Sequence, residues 1–251
     1  MKISIIGYGE MAKAILYGMK NGNWKMDDVE IVGRDEEKIK KLAGELGCKY
    51  SLIDGYDISN KTVILAVKPY ALQEVSMRIK GEADILISIL AGKSLVELQK
   101  YIKAKSYIRA MPNIAAKYQA STTAVTGDEE AKDTAVEILS KIGDVVWVNS
   151  DDEIDMATAI IGSGPAFLAI IAEAISDGGV YTGLKRDIAD KLTRGLFKSF
   201  AAMDDDFAGI KNKVMSPKGT TAVGIYELEK EGVRGKMIKG IVRTYEKSKK
   251  I

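Results

Sequence analysis

The chain has 251 residues, of which 46% are hydrophobic and 29% are charged, a composition ordinary for a globular protein. Its net charge of +2 is not concentrated in a basic patch, which argues against a nucleic-acid partner. It contains no histidine and a single cysteine, Cys48, so zinc sites built on these residues, histidine-dependent triads and disulfides are excluded.

The sequence carries no evident targeting or membrane segment. No run of about 18 apolar residues stands out, and Met1 leads directly into a strand-like segment. We therefore expect neither a membrane span nor a signal peptide, and we expect a cytoplasmic protein. The length suits one large domain or two modest ones.

The first half of the chain alternates short apolar runs with helical patterns, which is typical of a parallel sheet with crossover helices. Helices are predicted at 9–20, near 35–47 and within 128–142. Strands are predicted at 2–7, 29–34, 62–67, 84–90, 106–111, 121–126 and 144–148. The continuous apolar runs at 62–67 and 84–90 indicate strands that are covered on both faces.

After about residue 150 the strand signal disappears. The segment 166–175 is apolar nearly all round, interrupted only by Glu173, so we expect a helix that is buried on most sides. A second domain of about a hundred residues has little surface with which to cover it, and we infer that a partner subunit covers part of it. Further helices are predicted near 187–203, 206–214, 217–231 and 233–248.

The segment between the first strand and the first helix has a G-x-G-x-x-A pattern, formed by Gly7, Tyr8, Gly9, Glu10, Met11 and Ala12. The first glycine permits a tight turn and the second permits close approach of a pyrophosphate. The small third residue lets helix and strand pack, with the phosphates at the helix N-terminus. Because the strand and the helix flank it correctly, we interpret the pattern as dinucleotide-binding and not as a merely structural turn.

The end of the second strand indicates which dinucleotide is bound. NAD enzymes place Asp or Glu there to hold the ribose 2′-hydroxyl, but this strand ends in Gly33 followed by Arg34. An arginine pairs with a 2′-phosphate, which a carboxylate would repel. Asp35 is expected to cap the following helix. We predict NADPH as the cofactor, with NADH as the alternative.

Three further strand ends carry unusual residues, in the segments "AVKP", "LAG" and "RAMPN". In an open α/β sheet the ligand lies beyond the carboxyl ends of the strands, so these loops should line the cofactor cleft. Each segment alone is equally compatible with a simple strand terminator. Together with the glycine turn and the end of the second strand, these loops give the following predicted cofactor-binding residues: Gly7, Tyr8, Gly9, Glu10, Met11, Ala12, Gly33, Arg34, Ala66, Val67, Lys68, Pro69, Ala91, Gly92 and Asn113.

The chain closely resembles the pyrroline-5-carboxylate reductase family from Ile3 to about Glu231. The motifs that carry the resemblance are, in order, "GYGEMA", "AVKP", "RAMPN", "GSGPAF", "DGGVYTGLKRDIA" and "SPKGTTAVG". The resemblance implies reduction of a cyclic imine, 1-pyrroline-5-carboxylate, to L-proline with NAD(P)H. It implies an α/β plus all-α fold, with a Rossmann-type doubly wound domain at 1–152 and an all-helical substrate-binding and dimerisation domain at 153–251. It also implies an interlocked homodimer, often assembled into a decamer.

The resemblance assigns the substrate to the "SPKGTT" segment. It implies that Ser216, Gly219 and Thr220 bind the substrate carboxylate, and that Thr221 also binds substrate and hydrogen-bonds the ring nitrogen as the catalytic residue. A helix N-terminus suits a carboxylate, and we expect Ser216 to cap a helix that has Pro217 at its first position. An ordinary capped helix is the alternative interpretation.

Two departures from the family pattern leave the substrate range open. Lys218 replaces a glycine, and Phe167 stands where the family usually has tyrosine, so five-membered and six-membered ring imines both remain candidates. A β-hydroxyacid dehydrogenase is a second enzyme class with this domain plan. It would need a buried lysine, whereas Lys185, Lys191 and Lys198 look solvated. A non-catalytic NADP-binding regulator is the third hypothesis.

Overall fold

The computed structural model describes residues 1–249, and its internal contacts divide the chain into two compact units. The first unit comprises residues 1–163 together with the chain from residue 244 onwards, and the second comprises residues 164–243. The second unit thus begins at residue 164, eleven residues after the start predicted for the second domain at residue 153. The predicted domain boundary stays a prediction.

The strands belong to the first unit and agree closely with the predicted ones. In chain order they are β1 (Ile3–Ile6), β2 (Val29–Gly33), β3 (Lys49–Leu52), β4 (Tyr56–Asp57), β5 (Thr62–Leu65), β6 (Ile79–Lys80), β7 (Ala83–Ser88), β8 (Ala104–Met111), β9 (Ser121–Gly127) and β10 (Gly143–Trp147). The sequence prediction missed β3 and the short pair β4 and β6. These three strands are short and largely polar, so they lack the apolar run on which the prediction depended.

Within the described residues one sheet has eight strands, in the order β3-β2-β1-β5-β7-β8-β9-β10. From β3 to β8 the strands are parallel and follow the Rossmann order, with the chain reversing direction across the sheet between β1 and β5. The predicted parallel sheet has an antiparallel pairing at one edge, where β9 runs antiparallel to β8. Residues 112–120 are too few for a crossover, which needs about a dozen residues.

The sheet is covered on both faces, as the continuous apolar runs predicted. Ile5 and Ile64 belong to one buried cluster, whereas their chain neighbours Ile6 and Leu65 belong to another. Successive residues of a strand point to opposite faces, so both faces of β1 and β5 are packed. This buried centre holds the strand ends that carry the site described below.

The helices fall in both units. Their bounds are α1 (Glu10–Asn21), α2 (Glu36–Leu46), α3 (Leu72–Arg78), α4 (Leu95–Tyr101), α5 (Lys132–Leu139), α6 (Asp151–Ala157), α7 (Gly164–Tyr181), α8 (Arg186–Ala201), α9 (Phe207–Val214), α10 (Thr220–Lys230) and α11 (Val233–Ser248). The segment Thr158–Gly162 between α6 and α7 is a π-helix.

Arg109, in the predicted cleft segment "RAMPN", is a structural residue of the first unit. Its side chain is 1% exposed, and its two terminal nitrogens lie 2.6 Å from Asp151 Oδ1 and 2.8 Å from Asp155 Oδ1. Two carboxylates therefore compensate one buried guanidinium, which would be costly to bury alone. The pairs fasten α6 to β8.

Helix α7 is largely exposed within its own chain, so its predicted burial depends on the inferred partner subunit. Leu168 is 51% exposed and Ile170 is 64% exposed, although both are apolar.

The expectation that nothing would qualify as a membrane span also needs correction. In the described part of the chain, the helical run Asp151–Tyr181 is long and apolar enough by length and composition alone, which is weak evidence for a span.

Candidate functional site

A cavity of about 720 Å³ lies in the first unit, beyond the carboxyl ends of β1, β2 and β5. Because the strand order reverses between β1 and β5, this is the crevice in which doubly wound folds bind their ligands. Most of the predicted cofactor-binding residues line it, namely Gly7, Tyr8, Gly9, Glu10, Met11, Gly33, Arg34, Ala66, Val67 and Lys68.

The glycine turn after β1 has the shape that a dinucleotide pyrophosphate requires. Gly7 has a φ of +123°, and a β-carbon there would lie 2.4 Å from the carbonyl oxygen of Ala66, so only glycine fits. Its N–H donates to the carbonyl oxygen of Val32 over 2.9 Å, which joins the end of β1 to the end of β2. A β-carbon at Gly9 would meet nothing within 4 Å, so the backbone there faces open space in front of α1. These residues fit a pyrophosphate.

Arg34 is the exposed cation at the end of β2. The neighbouring Tyr8 hydroxyl raises the pKa of its guanidinium, with a smaller contribution from Glu74. Asp35 points elsewhere: its Oδ1 accepts a hydrogen bond from the Lys38 N–H over 3.1 Å and caps α2, which confirms the expected cap. The Lys38 side chain, by hydrogen bonding and charge, lowers the pKa of the Asp35 carboxyl. Arg34 therefore remains available for an anion in the cavity.

Five predicted residues lie outside the lining of this cavity: Ala12, Pro69, Ala91, Gly92 and Asn113. Ala12 is fully buried in the core, where it allows α1 to pack on the sheet. Pro69 opens a 3₁₀ turn, and Ala91 packs on a small apolar cluster beyond β7. The side chain of Asn113 accepts a hydrogen bond from the Ala115 N–H over 2.9 Å and so caps the following turn. Gly92 adopts a left-handed φ of 68°.

Several lining residues were missed by the sequence analysis, namely Lys38, Tyr70, Glu74, Arg78 and Ile114. Lys38 lies one helical turn after Arg34, and this spacing could have indicated a second cation. Tyr70 directly follows the "AVKP" segment and is 86% exposed. The Arg78 guanidinium pairs with Glu74 over 3.0 Å, so their charges largely cancel at the cavity wall.

In the second unit, α10 begins later than predicted. The sequence placed its start at residue 217 with Ser216 as the cap, but the helix starts at Thr220 with Gly219 at the N-cap and no side-chain cap. Lys218 explains the difference, because its φ of 60° is left-handed and cannot continue a helix. Ser216 to Gly219 instead form a turn, in which the Gly219 N–H donates to the Ser216 carbonyl oxygen over 3.0 Å.

This turn brings the Ser216 hydroxyl to the first turn of α10. A β-carbon on Gly219 would lie 2.3 Å from Ser216 Oγ, so the hydroxyl rests against the bare Cα of Gly219. The N–H groups of Thr220 and Thr221 belong to the first helical turn, which has no carbonyl partners within its own helix. Thr221 is half-buried and Ser216 is exposed. The predicted carboxylate-binding residues therefore share one helix end, although the Gly219 N–H is already used in the turn.

Models of known protein families match both parts of the chain. Residues 2–92 match a family described as NADP oxidoreductase, coenzyme F420-dependent, and residues 151–251 match one described as pyrroline-5-carboxylate reductase dimerisation. A pyrroline-5-carboxylate reductase of Helicobacter pylori strain J99 is 35% identical over 94% of this chain and 95% of its own length. The chain belongs to the pyrroline-5-carboxylate reductase family. The enzyme of Synechocystis is 36% identical over the whole of this chain and 98% of its own length.

The solved structures of this family have the same fold. A 1-pyrroline-5-carboxylate reductase of Streptococcus pyogenes matches with a TM-score of 0.86 at 29% identity, covering 100% of this chain and 99% of its own. A pyrroline-5-carboxylate reductase of Coxiella burnetii matches with a TM-score of 0.85 at 26% identity, covering 99% and 97%. The fold class predicted from the sequence is thereby confirmed.

Proposed function

We propose that this chain reduces 1-pyrroline-5-carboxylate to L-proline with NADPH, the final step of proline biosynthesis. The observation that carries the proposal is the full-length similarity, at 35% identity, to an enzyme of that name. The dinucleotide crevice of the first unit and the anion-holding helix end of the second supply the two binding functions that such a reaction needs. Lys185, Lys191 and Lys198 are exposed, which disfavours a lysine-dependent hydroxyacid dehydrogenase.

The cofactor supplies a hydride, and the chain's own residues hold it in the crevice. The open backbone at Gly9 and the N-terminus of α1 accept the pyrophosphate. Arg34 pairs with the 2′-phosphate. No carboxylate side chain projects from Gly33, at the end of β2, so the adenosine ribose meets no negative charge there. These features support NADPH over NADH.

The substrate carboxylate binds at the first turn of α10. The Ser216 hydroxyl and the free N–H groups of Thr220 and Thr221 are donors on one helix end, where the helix dipole also favours an anion. Gly219 contributes by its lack of a side chain, which leaves room for Ser216 Oγ and for the ligand.

Thr221 acts on the ring nitrogen as a positioning and hydrogen-bonding group. A protonated imine is already electrophilic, so the reaction does not require a histidine to polarise it. Catalysis then comes mainly from proximity, with the reacting atoms held about 3–3.5 Å apart. The Thr221 hydroxyl fixes the ring orientation and relays the nitrogen's proton.

Steady-state kinetics on two variants test these roles. Thr221→Ala should lower kcat with little change in KM, because the hydroxyl acts on the reacting group. Ser216→Ala should raise the KM for the imine, because a carboxylate contact is lost. Ser140→Ala is the matched control, since that exposed hydroxyl donates a hydrogen bond to the Glu137 carbonyl of its own turn. If both Thr221→Ala and Ser216→Ala keep the wild-type kcat and KM, the roles proposed for these two residues are refuted.

We also propose that the enzyme works as a homodimer, with a decamer as the larger assembly that the resemblance suggests. The exposed apolar side chains of α7, among them Leu168 and Ile170, lie in the part of the chain that matches the dimerisation family. Burial of these side chains against a partner subunit explains the apolar surface of α7 without a membrane span. The cytoplasm remains the proposed location, and a six-membered ring imine remains the alternative substrate.

A further inference from the structure

The ring of Tyr8 occupies the space in which an NAD enzyme would carry its ribose-binding carboxylate. A β-carbon built on Gly33, the last residue of β2, would lie 2.6 Å from Tyr8 Cδ1 and 2.7 Å from Tyr8 Cε1. The backbone of Gly33 does not have the positive φ that would itself demand glycine. The side chain of Tyr8 is therefore the main obstacle to any larger residue at position 33.

Tyr8 is held firmly in this place. It occupies the variable position between the two glycines of the turn, and its half-buried ring packs against the core cluster that includes Ile39. The methyl group Ile39 Cγ2 would lie 2.9 Å from the same hypothetical β-carbon, a smaller overlap than that with the two ring atoms. The ring and Arg34 both line the cavity.

We propose that Tyr8 is a specificity-determining residue for the cofactor, because its ring excludes a carboxylate from the end of β2 and leaves the ribose to the cation of Arg34. The inference rests on the proposed use of NADPH. The preference for NADPH over NADH is then determined jointly by Tyr8 and Gly33, which lie against each other at the end of β2.

The pairing predicts how the cofactor preference can be changed. Gly33→Asp alone should not improve NADH binding, because the new side chain collides with the ring. Tyr8→Ala combined with Gly33→Asp should bind NADH about tenfold more tightly than Gly33→Asp alone and should lose most of its NADPH binding. A new charge-assisted hydrogen bond to the ribose corresponds to about that factor.

The test is calorimetric titration of the folded, assembled protein with NADPH and NADH separately. Tyr8→Phe separates the ring from the hydroxyl: it keeps the ring and should keep the wild-type ratio of the two dissociation constants within about twofold. Melting curves establish which variants are folded. Failure of Gly33→Asp to fold while the double variant folds would support the collision.

Two results would overturn the inference. One is a gain in NADH affinity for Gly33→Asp as large as that of the double variant, and the other is a Tyr8→Phe variant that has lost its discrimination. A wild-type protein that binds neither dinucleotide would instead contradict the proposed function. If the wild-type protein binds NADPH, but Gly33→Asp changes NADH affinity equally whether or not Tyr8 is replaced, only the role of Tyr8 is contradicted.

Discussion

Replacing Gly219 by alanine perturbs chiefly one side chain at the proposed substrate site, the Ser216 hydroxyl. Gly219 has φ −77° and ψ 162°, which alanine adopts without strain. Its new β-carbon would lie 2.3 Å from Ser216 Oγ and 3.1 Å from the Ser216 carbonyl oxygen. The hydroxyl has to move by about 1 Å or more to reach normal contact, so it leaves its place at the helix end.

The size of the effect follows from the bond that is lost. A hydrogen bond to a charged group contributes about 1.5–3 kcal/mol, which corresponds to a rise in KM for the imine of about 10- to 150-fold. The effect on kcat should be smaller, because the reacting atoms are untouched. Alanine is also a poorer N-cap than glycine, so we expect a loss of roughly 1 kcal/mol in unfolding free energy.

The assay combines steady-state kinetics with thermal unfolding. Gly44→Ala is the matched control, because Gly44 is an exposed residue inside α2 where a β-carbon meets nothing within 4 Å. It should leave KM unchanged and raise the melting temperature, since glycine inside a helix costs about 1 kcal/mol relative to alanine.

A Gly219→Ala enzyme with the wild-type KM would refute this reasoning. A second criterion is the double variant with Ser216→Ala. If alanine acts by displacing the Ser216 hydroxyl, the two losses should be far from additive, because the same hydrogen bond is removed twice. Additive losses would show that Gly219 acts by another route.

Three further changes test the stability side of the account. Lys218→Gly should raise the unfolding free energy by about 1 kcal/mol, because the left-handed backbone at Lys218 penalises a β-carbon. Arg109→Met should lower it by about 3 kcal/mol, because Asp151 and Asp155 lose their buried partner. Glu30→Gln should flatten the acid limb of the stability curve. Burial raises the pKa of Glu30, but hydrogen bonds from its neighbours outweigh this and leave it below its usual 4.5.

Each of these has its own measurement. Denaturant titration of Lys218→Ala distinguishes conformation from charge, since alanine removes the cation but keeps the β-carbon and should bring no gain. Arg109→Lys should lose less than Arg109→Met, and equal losses would argue against the ion pairs. A carboxyl group whose pKa is lower in the folded chain than in the unfolded chain stabilises the fold at pH values above its usual pKa. This contribution to stability is lost as the pH falls through the lowered pKa. The difference between wild type and Glu30→Gln should therefore shrink from pH 6 towards pH 3, and a constant difference would contradict the assignment.

The strands and the glycine turn were predictable because their signals are local. Continuous apolar runs identify β5 and β7, and the Gly7 pattern needs only the strand before it and the helix after it. The antiparallel direction of β9 was not predicted, because it follows from the short connection between β8 and β9, and that connection carries no periodic signal. The contact between Tyr8 and Gly33 joins residues far apart in sequence, and no local pattern reports it.

The start of α10 shows how a good local signal can mislead. Ser216 and Pro217 are favourable residues for a helix start, but Lys218 takes a left-handed conformation and moves the start to Thr220. Propensity is a weak guide where the surrounding structure fixes the backbone. The all-apolar sequence of α7 predicted a buried helix, and the small size of its domain indicated a partner subunit as the cover, but no local pattern reports which surface of the partner provides it.

The measurement that tests the central claim most directly is turnover of 1-pyrroline-5-carboxylate by the wild-type protein, with NADPH and NADH supplied in parallel. We predict oxidation of one NADPH for each L-proline formed, at a higher kcat/KM than with NADH. A folded protein that binds NADPH yet forms no proline from this imine would contradict the account.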